Sequence, residues 1–390
     1  MQIVLNSSKI IPFSLMVFFA IYASFDLTAV NLQMASYAIL AATLIGGAFM
    51  LYKIIREKTI PKSDLVIYIF LTIIAISSFV HGTDAKNWIY LCISILLIRS
   101  AFYFYENHIQ YLILGLASGF NIGLFLQLYQ LITQPDIWII PDTKEVAVYI
   151  LGGNYNQIGI RILISLVINY LCIKISKAFY FILIPSIIAG ISISIMVNSM
   201  TAATCIILFL LLCSLPSTYL RRTSVKLLLF LIVIFQIFVC FTGKGIENSE
   251  LAVWFIEDVL GKDITFTNRT HMWDSALRII IESPFWGYGY PDGLWYRSHM
   301  TSFAIGPHNI LLATLIYGGI PAFILYLYLF IKSLLLVYRI PDYWADCILI
   351  GIATASLMML MEVYTLSIVF TFITLAEYYP QIHYQLLSKE

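Results

Sequence analysis

Long apolar runs recur along almost the whole 390-residue chain and constrain its fold more than any other feature. A helix crosses the hydrocarbon core of a bilayer in about 20 apolar residues. Runs of this kind predict twelve spans, at 10–30, 34–53, 64–81, 88–105, 110–133, 157–174, 178–197, 201–216, 224–242, 308–337, 343–361 and 364–380. The tenth run is long enough for a tilted span, and the last two are separated only around Glu362, so eleven spans are the alternative. The sequence thus predicts an all-α polytopic membrane protein with one integral membrane domain over residues 1–390.

Composition agrees with lipid as the main solvent. Hydrophobic residues make up 61% of the chain and charged residues 11%, whereas a soluble domain is about a quarter charged. The net charge of +1 gives no reason to expect a nucleic-acid partner. All six cysteines lie in apolar runs without a CxxC pair, so we interpret them as buried apolar residues and expect neither a disulfide nor a metal site.

Positive charge predicts the orientation, because cytoplasmic loops are enriched in lysine and arginine. With the N-terminus in the cytoplasm, 14 of the 22 basic residues fall on the cytoplasmic side. The other side holds eight, five of them in one long loop. No convincing cleavage site follows the first run, which is interpreted as a retained span. Both termini are therefore expected in the cytoplasm.

Two loops on the predicted outer side stand out. The loop 243–307, between spans 9 and 10, is rich in tryptophan, which argues against disorder. Apolar residues at helical spacing predict short helices over 251–259 and 273–281 in it. The loop 134–156 is the second, and it ends in the polar stretch 152–156.

Three arginines on the outer side are candidates for binding an anion. Arg161 lies a few residues inside span 6, where a charge is costly and by default functional, although it can also extend to the headgroups. Arg269 is expected at the positively polarised start of a short helix, with an exposed surface arginine as the alternative. Arg278 lies nine residues later on the opposite helix face, so Arg269 and Arg278 are not expected to hold one phosphate together.

An aromatic and glycine-rich segment runs from Pro284 to Gly293. Its glycines permit sharp turns, and the rings of Trp286, Tyr288 and Tyr290 offer flat faces suited to sugars. An aromatic belt at the membrane interface is the alternative interpretation.

His308 is the main candidate for a residue that accepts a proton. It lies where the long loop enters span 10, next to the polar Asn309, and a histidine there can accept a proton. An interfacial histidine bonded to water is the alternative. Glu362, at the outer turn between the last two spans, is expected to pair with an outer arginine as a structural contact. His271 and His299 match no metal-ligand pattern and are interpreted as structural.

An ordered set of short motifs in the long loop resembles the signature of the O-antigen ligase / O-antigen polymerase superfamily of membrane glycosyltransferases. The matching residues are Asn268-Arg269, Trp273-Asp274-Ser275-Ala276-Leu277, Ser283-Pro284-Phe285-Trp286-Gly287-Tyr288-Gly289-Tyr290, Gly306-Pro307-His308-Asn309 and Gly318-Gly319-Ile320. The resemblance covers about 55 residues. It implies a metal-independent, GT-C-like enzyme with no cofactor, located in the bacterial cytoplasmic (inner) membrane with its site facing outward.

The resemblance also implies a role for each candidate residue. The donor would be a glycan linked through diphosphate to a polyprenol, and a sugar hydroxyl would attack its anomeric carbon. His308 would be the general base, and Arg269 and Arg161 would neutralise the diphosphate. The remaining candidates are Arg278 for the diphosphate and, for the sugars, Asn154, Asn156, Trp286, Tyr288, Tyr290 and Asn309. Expected partners are the lipid-linked donor and acceptor and the bilayer. A chain-length regulator and a flippase are further partners that the resemblance allows but does not require.

One position departs from the family pattern. Many members carry an arginine at the outer end of the eighth span, where this chain reads Asn198-Ser199-Met200-Thr201-Ala202. One anion contact would therefore have to come from elsewhere, such as Arg278 or Arg297.

Three functions are compatible with these features. The leading hypothesis is a polymerase of lipid-linked oligosaccharide repeats that makes O-antigen, capsule or exopolysaccharide. The second is a ligase that moves the finished glycan onto lipid A core, since both reactions use a similar donor. A transporter or lipid-linked sugar flippase is the third, although no internal repeat is found and the polar groups gather outside rather than at mid-membrane.

Overall fold

The computed structural model describes residues 61–134 except 84, 150–151, 157–242 and 269–387 except 303, together with isolated positions at 48, 52, 55–56, 250 and 254. Asn154, Asn156, the predicted span 10–30 and nearly all of the span 34–53 lie outside the described residues. So does the predicted short helix at 251–259, apart from one position.

Helices account for nearly all of the described chain. They are α1 (Lys62–His81), α2 (Ala85–Phe104), α3 (Ile109–Thr133), α4 (Ile158–Ile175), α5 (Tyr180–Met196), α6 (Met200–Cys213), α7 (Thr218–Phe235), α8 (Arg269–Glu282), α9 (Gly293–His299), α10 (Ile310–Tyr338), α11 (Tyr343–Met361), α12 (Leu366–Glu377) and α13 (Tyr379–Leu387). A turn of π-helix, Gln236–Cys240, extends α7. A short 3-10 turn, Lys177–Phe179, precedes α5.

Ten of these helices fall where the sequence predicts spans 3 to 12. Within the described residues, eight are long and apolar enough to cross a membrane, and Met200–Cys213 and Leu366–Glu377 are apolar but shorter. The structure therefore confirms the polytopic all-α class. The total of twelve spans stays a prediction, because the first two lie outside the described residues.

The structure corrects the prediction of a single tilted helix for span 10. α10 is broken at Gly318 (φ −152°, ψ 25°) and Gly319 (φ 63°, ψ −162°), and Pro321 follows in the next turn. The positive φ of Gly319 is accessible because glycine has no Cβ. Proline removes a helical N–H donor, which further favours a break. Length alone could not distinguish a tilted helix from two shorter ones.

The last two predicted spans are separate helices. Residues 362–365, here called the 362–365 linker, are non-helical between α11 and α12. Glu362 has an extended backbone (φ −148°, ψ 149°). The linker turns the chain at the end of the bundle that the charge pattern predicts to be outward, here called the outer end and marked by His308 and Glu362.

The centre of the bundle is formed by α4 and α11, which pack against each other and against α6. A buried polar joint adds to the apolar packing. The side chains of Asn121 in α3 and Asn169 in α4 exchange hydrogen bonds of 2.7 and 2.9 Å. The Ser186 hydroxyl of α5 donates to the same Asn121 oxygen at 2.8 Å. Such bonds satisfy polar groups in hydrocarbon and join neighbouring spans.

Buried ion pairs lie at the opposite end of the bundle, here called the inner end, which the charge pattern predicts to face the cytoplasm. Arg99 near the end of α2 is 2.6 Å from Asp64 at the start of α1 and 2.5 Å from Glu377 at the end of α12. Arg221 and Arg222 of α7 both bind Asp346 of α11, at 2.9 and 2.8 Å. Arg99, Arg221 and Arg222, three of the basic residues that predict the cytoplasmic side, thus form buried ion pairs near the helix ends expected to face the cytoplasm.

Candidate active site at the outer end

The 362–365 linker brings three charged or titratable side chains together. Glu362 is 4% exposed. One of its carboxylate oxygens lies 3.0 Å from His308 Nδ1, and the other lies 3.8 Å from Arg269 Nη2. Arg269 Nε also donates to the Met361 carbonyl at 2.7 Å. The end of α11 therefore positions both the predicted base and one predicted phosphate ligand.

Arg161 reaches the same linker from α4. Its guanidinium donates to the Gln157 carbonyl at 3.2 Å, and the Gln157 amide donates to the Val363 carbonyl at 3.1 Å. Burial and the negative charge of Glu362 raise the pKa of Tyr364 in the linker well above its ordinary value, while Arg161 and Arg269 act to lower it. The Tyr364 phenol therefore lies within electrostatic range of both arginines, which places them around one site.

His308 has a backbone conformation that is uncommon for its residue type. Its φ is 47°, in the left-handed region, and Asn198 is the other non-glycine residue with positive φ in the described part of the chain. Such residues cost roughly 1–3 kcal/mol and tend to cluster at functional sites. The His308 side chain is 13% exposed, so it is largely enclosed while one edge stays open.

The Glu362 contact gives His308 a defined chemical role. A Glu362 oxygen lies 3.0 Å from Nδ1 without forming a hydrogen bond, and its negative charge favours a proton on the ring nitrogen nearer to it. The other ring nitrogen, Nε2, is then left with a lone pair that can accept a proton. The tautomer is thus inferred from the contact, and it suits a general base.

Asn309 has a role that the sequence did not predict. It is fully buried, and its side-chain oxygen accepts hydrogen bonds from the backbone of Leu311 and Leu312 at 3.0 and 3.1 Å. This is the pattern of an N-terminal helix cap. Its amide group donates to Gln236 and to the Leu360 carbonyl. In this conformation Asn309 supports the start of α10 rather than presenting a group to a sugar.

The glycine-rich segment after α8 docks into the break in α10. The Tyr288 and Gly289 N–H groups donate to the carbonyls of Ile316 and Tyr317 at 2.6 and 3.0 Å. In return, the Ile320 N–H donates to the Pro284 carbonyl at 2.8 Å. The break leaves backbone N–H and C=O groups of α10 without partners inside the helix. The docked segment forms hydrogen bonds with these groups, as buried backbone groups require.

The aromatic side chains of this segment have different surroundings. Trp286 is 56% exposed. The Tyr288 ring, only partly buried, contacts the rings of His81 and Trp295, with centroids 4.8 and 5.2 Å away. The Tyr290 ring packs on Tyr317 at 4.7 Å, and burial raises the pKa of Tyr290 to about 12. The Trp286 ring is therefore open at the surface and the Tyr288 ring partly so, whereas Tyr290 mainly anchors the segment.

Arg278 pairs with a carboxylate on its own helix. Arg278 lies nine residues, about two and a half turns, after Arg269 on α8, and it forms an ion pair of 2.5 Å with Asp274, with 66% of its side chain exposed. The structure thus gives no contact that brings Arg278 to the 362–365 linker. His299 stacks on Trp295 with centroids 4.1 Å apart, in line with a structural role. Among the described residues, no group of three or more His, Cys, Asp or Glu side chains could hold a metal ion.

Three participants were missed by the sequence analysis. Gln157, Gln236 and Tyr364 fall within the predicted spans 157–174, 224–242 and 364–380, which are largely apolar. Their local sequence gives little indication of a role, because that role arises where separate helices meet. The one usable signal was the polarity of Gln236 within an otherwise apolar run.

Replacing Gly287 with alanine should destabilise the docked segment by about 1–3 kcal/mol. Gly287 has a φ of 65°, and a Cβ there would lie 2.5 Å from the Ile316 carbonyl oxygen. The loss is measurable as a lower midpoint of thermal unfolding in detergent. Gly293→Ala is a matched control, because its Cβ would meet only Ile305 at 3.8 Å. Equal shifts for the two variants would contradict the docking role of Gly287.

The fold and the site define a polytopic helical membrane protein with arginines, a histidine and a carboxylate gathered at one end of its bundle. Residues 186–327 match the family model described as O-antigen ligase. The match supports the resemblance of this part of the chain to the O-antigen ligase / O-antigen polymerase superfamily, whose members are glycosyltransferase-like enzymes. The matched range includes Arg269 and His308, while Arg161 and Glu362 lie on either side of it. No curated protein matches the chain.

Proposed function

We propose that this protein polymerises polyprenyl-diphosphate-linked oligosaccharide repeats on the outer face of the bacterial cytoplasmic membrane, with both termini in the cytoplasm. One observation carries the proposal. His308 lies 3.0 Å from Glu362, and Glu362 lies 3.8 Å from Arg269, at one end of an apolar helical bundle. A base next to fixed cations suits transfer from a donor whose leaving group is a diphosphate anchored in lipid.

The proposed reaction is a glycosyl transfer without a metal. A hydroxyl of the acceptor sugar attacks the anomeric carbon of the donor, and its proton passes to His308 Nε2. A new glycosidic C–O bond forms as the bond between the anomeric carbon and the diphosphate oxygen breaks. The electron pair of that bond leaves with the polyprenyl diphosphate. Glu362 stabilises the histidine as it becomes positively charged.

Arg161 and Arg269 are proposed to stabilise the leaving group. Planar guanidinium groups match phosphate oxygens through paired hydrogen bonds. Fixed positive charges aimed at the site where negative charge develops lower the barrier. Arg269 retains a hydrogen bond to Met361 that holds its guanidinium in place. Arg278 is a weaker candidate for the diphosphate, because it pairs with Asp274 on the same helix.

The sugars of the donor and acceptor are proposed to contact the exposed aromatic rings. Trp286 and Tyr288 lie on the segment that docks beside the outer end of α10. Asn154 and Asn156, in the loop before α4, are further proposed sugar contacts, and Ile150 and Leu151 just before them are tied to α3 through Gln130 and Gln127. A chain-length regulator and a flippase are proposed as optional partners.

The acceptor is what separates a polymerase from a ligase, and the matched family is described as O-antigen ligase. Transfer of the finished glycan to lipid A core is therefore the second candidate. We expect the purified protein, in vesicles that contain only a diphosphate-linked repeat unit, to make longer lipid-linked chains. Gel electrophoresis and mass spectrometry would detect the ladder. If products form only after lipid A core is added, the protein is a ligase and the polymerase assignment is wrong.

A further inference from the structure

Asn309 links α10 to two other helices immediately beside His308. Its side-chain amide donates to Gln236 Oε1 at 2.7 Å and to the Leu360 carbonyl at 3.3 Å. Leu360 lies two residues before Glu362 in the last turn of α11. The buried side chain of Asn309, the residue after His308, therefore connects the start of α10 with the end of α11, where Glu362 lies.

Gln236 reaches this position through a change in helix type. It starts the π-helical turn Gln236–Cys240 that follows α7, and Gln236 is only 3% exposed. A π-turn widens the helix and shifts the direction of side chains, and such turns are frequent at functional sites. The same turn brings Cys240 Sγ to 3.4 Å from the Asn309 amide. The outer end of α7 is thus shaped to meet Asn309.

The neighbouring backbone explains why such a link matters. His308 has a φ of 47°, a conformation that only outside contacts make favourable for a residue with a Cβ. Asn309 resumes an extended backbone (φ −157°, ψ 125°) and caps α10. If Asn309 lost its hold on α7 and α11, His308 could relax to a common conformation, and its ring would move relative to Glu362.

We propose that Gln236 and Asn309 are positioning residues that hold His308 in its strained conformation and set its distance to Glu362. They act through the backbone of His308 and the end of α11. The inference rests on the proposed function for its kinetic consequence. Its structural consequence, the placement of the His308 ring, is independent of any reaction.

Gln236→Met tests the proposal, because it keeps the length of the side chain and removes the oxygen that Asn309 binds. We expect kcat for glycan elongation to fall by about tenfold with KM nearly unchanged, since a small misplacement of a reacting group slows chemistry without weakening substrate binding. We also expect diethyl pyrocarbonate to modify His308 faster than in the wild type, as measured by peptide mass spectrometry. The wild-type ring is only 13% exposed.

Asn169→Leu is the matched control. It removes the acceptor of another buried amide–amide hydrogen bond of 2.7 Å, between Asn121 and Asn169 in α3 and α4. Both variants should lose similar stability, but only Gln236→Met should alter kcat and the reactivity of His308. Asn309→Asp is a second test if Gln236→Met folds poorly. It keeps the capping oxygen and loses the amide donor, and it should reproduce both effects.

The two readouts separate this inference from the proposed function. An unchanged rate of His308 modification in both Gln236→Met and Asn309→Asp would overturn the positioning role, whatever their activity. A similar change in Asn169→Leu would also overturn it, because the effect would then reflect general loosening of the bundle. Faster modification of His308 in a protein whose wild type elongates no glycan would support the positioning role and reject the proposed function.

Discussion

Alanine at His308 should reduce glycan elongation by about 10²- to 10⁴-fold, the usual contribution of a general base. In the structure His308 Nδ1 lies 3.0 Å from a Glu362 oxygen, and the proposed reaction passes the acceptor's proton to the other ring nitrogen, Nε2. The substitution removes that group without altering the arginines. The measurement is the amount of lengthened lipid-linked glycan formed by the purified variant in vesicles, with lipid-linked precursor still visible on the outer leaflet in cells.

The matched control is His299→Ala, which removes another outer histidine that stacks on Trp295. It should elongate glycan at close to the wild-type rate. Elongation by His308→Ala within a fewfold of wild type would reject the base role. Precursor that stays on the inner leaflet in cells that carry the His308 variant would support transport of the lipid-linked sugar instead of polymerisation.

The helical spans were predictable because their signal is local. Hydrocarbon imposes about 20 apolar residues on each span, and this requirement can be read from any window of the sequence. The boundary of α11 at Tyr343–Met361 was predicted to the residue. The break in α10 was not, because Gly318 and Gly319 are tolerated inside membrane helices, and only the docked segment from Pro284 to Tyr290 makes the break favourable.

The candidate site was predictable in part. His308 and Arg269 lie in ordered motifs that resemble the signature of the superfamily, and Arg161 stands out because a charge inside a span is rare. The pairing of His308 with Glu362 could not be predicted, since these residues are far apart in sequence and meet only when α10 packs against α11. Asn309 was interpreted as a sugar ligand for the same reason, because its partner Gln236 lies on a distant helix.

The two ends of the bundle use charge in different ways. At the outer end, Arg269 approaches Glu362 at 3.8 Å and has 19% of its side chain exposed, so it can also meet an incoming anion. At the inner end, Arg99 has only 4% of its side chain exposed and holds two carboxylates at 2.6 Å or less. An arginine enclosed in this way has a structural role, whereas one that is partly open can bind a ligand.

Arg99→Met should therefore destabilise the fold by about 3–5 kcal/mol, the usual cost of removing one partner from a buried ion pair. Asp64 and Glu377 are 2% and 8% exposed, and without Arg99 the nearest remaining cation is Lys332, 3.6 Å from Glu377. The substitution leaves Asp64 without its ion-pair partner at the start of α1. Thermal unfolding in detergent, followed by tryptophan fluorescence, would measure the loss.

A triple variant distinguishes the loss of Arg99 packing from the cost of leaving buried carboxylates without their cation. Arg99→Met combined with Asp64→Leu and Glu377→Leu removes the cation and both carboxylates, and apolar replacements of a whole buried ion cluster are often neutral or stabilising. We expect the triple variant to recover most of the stability that Arg99→Met loses. If it is no more stable than the single variant, Arg99 would contribute through its packing against the Tyr378 ring, which lies 5.5 Å from the guanidinium carbon, rather than through its charge.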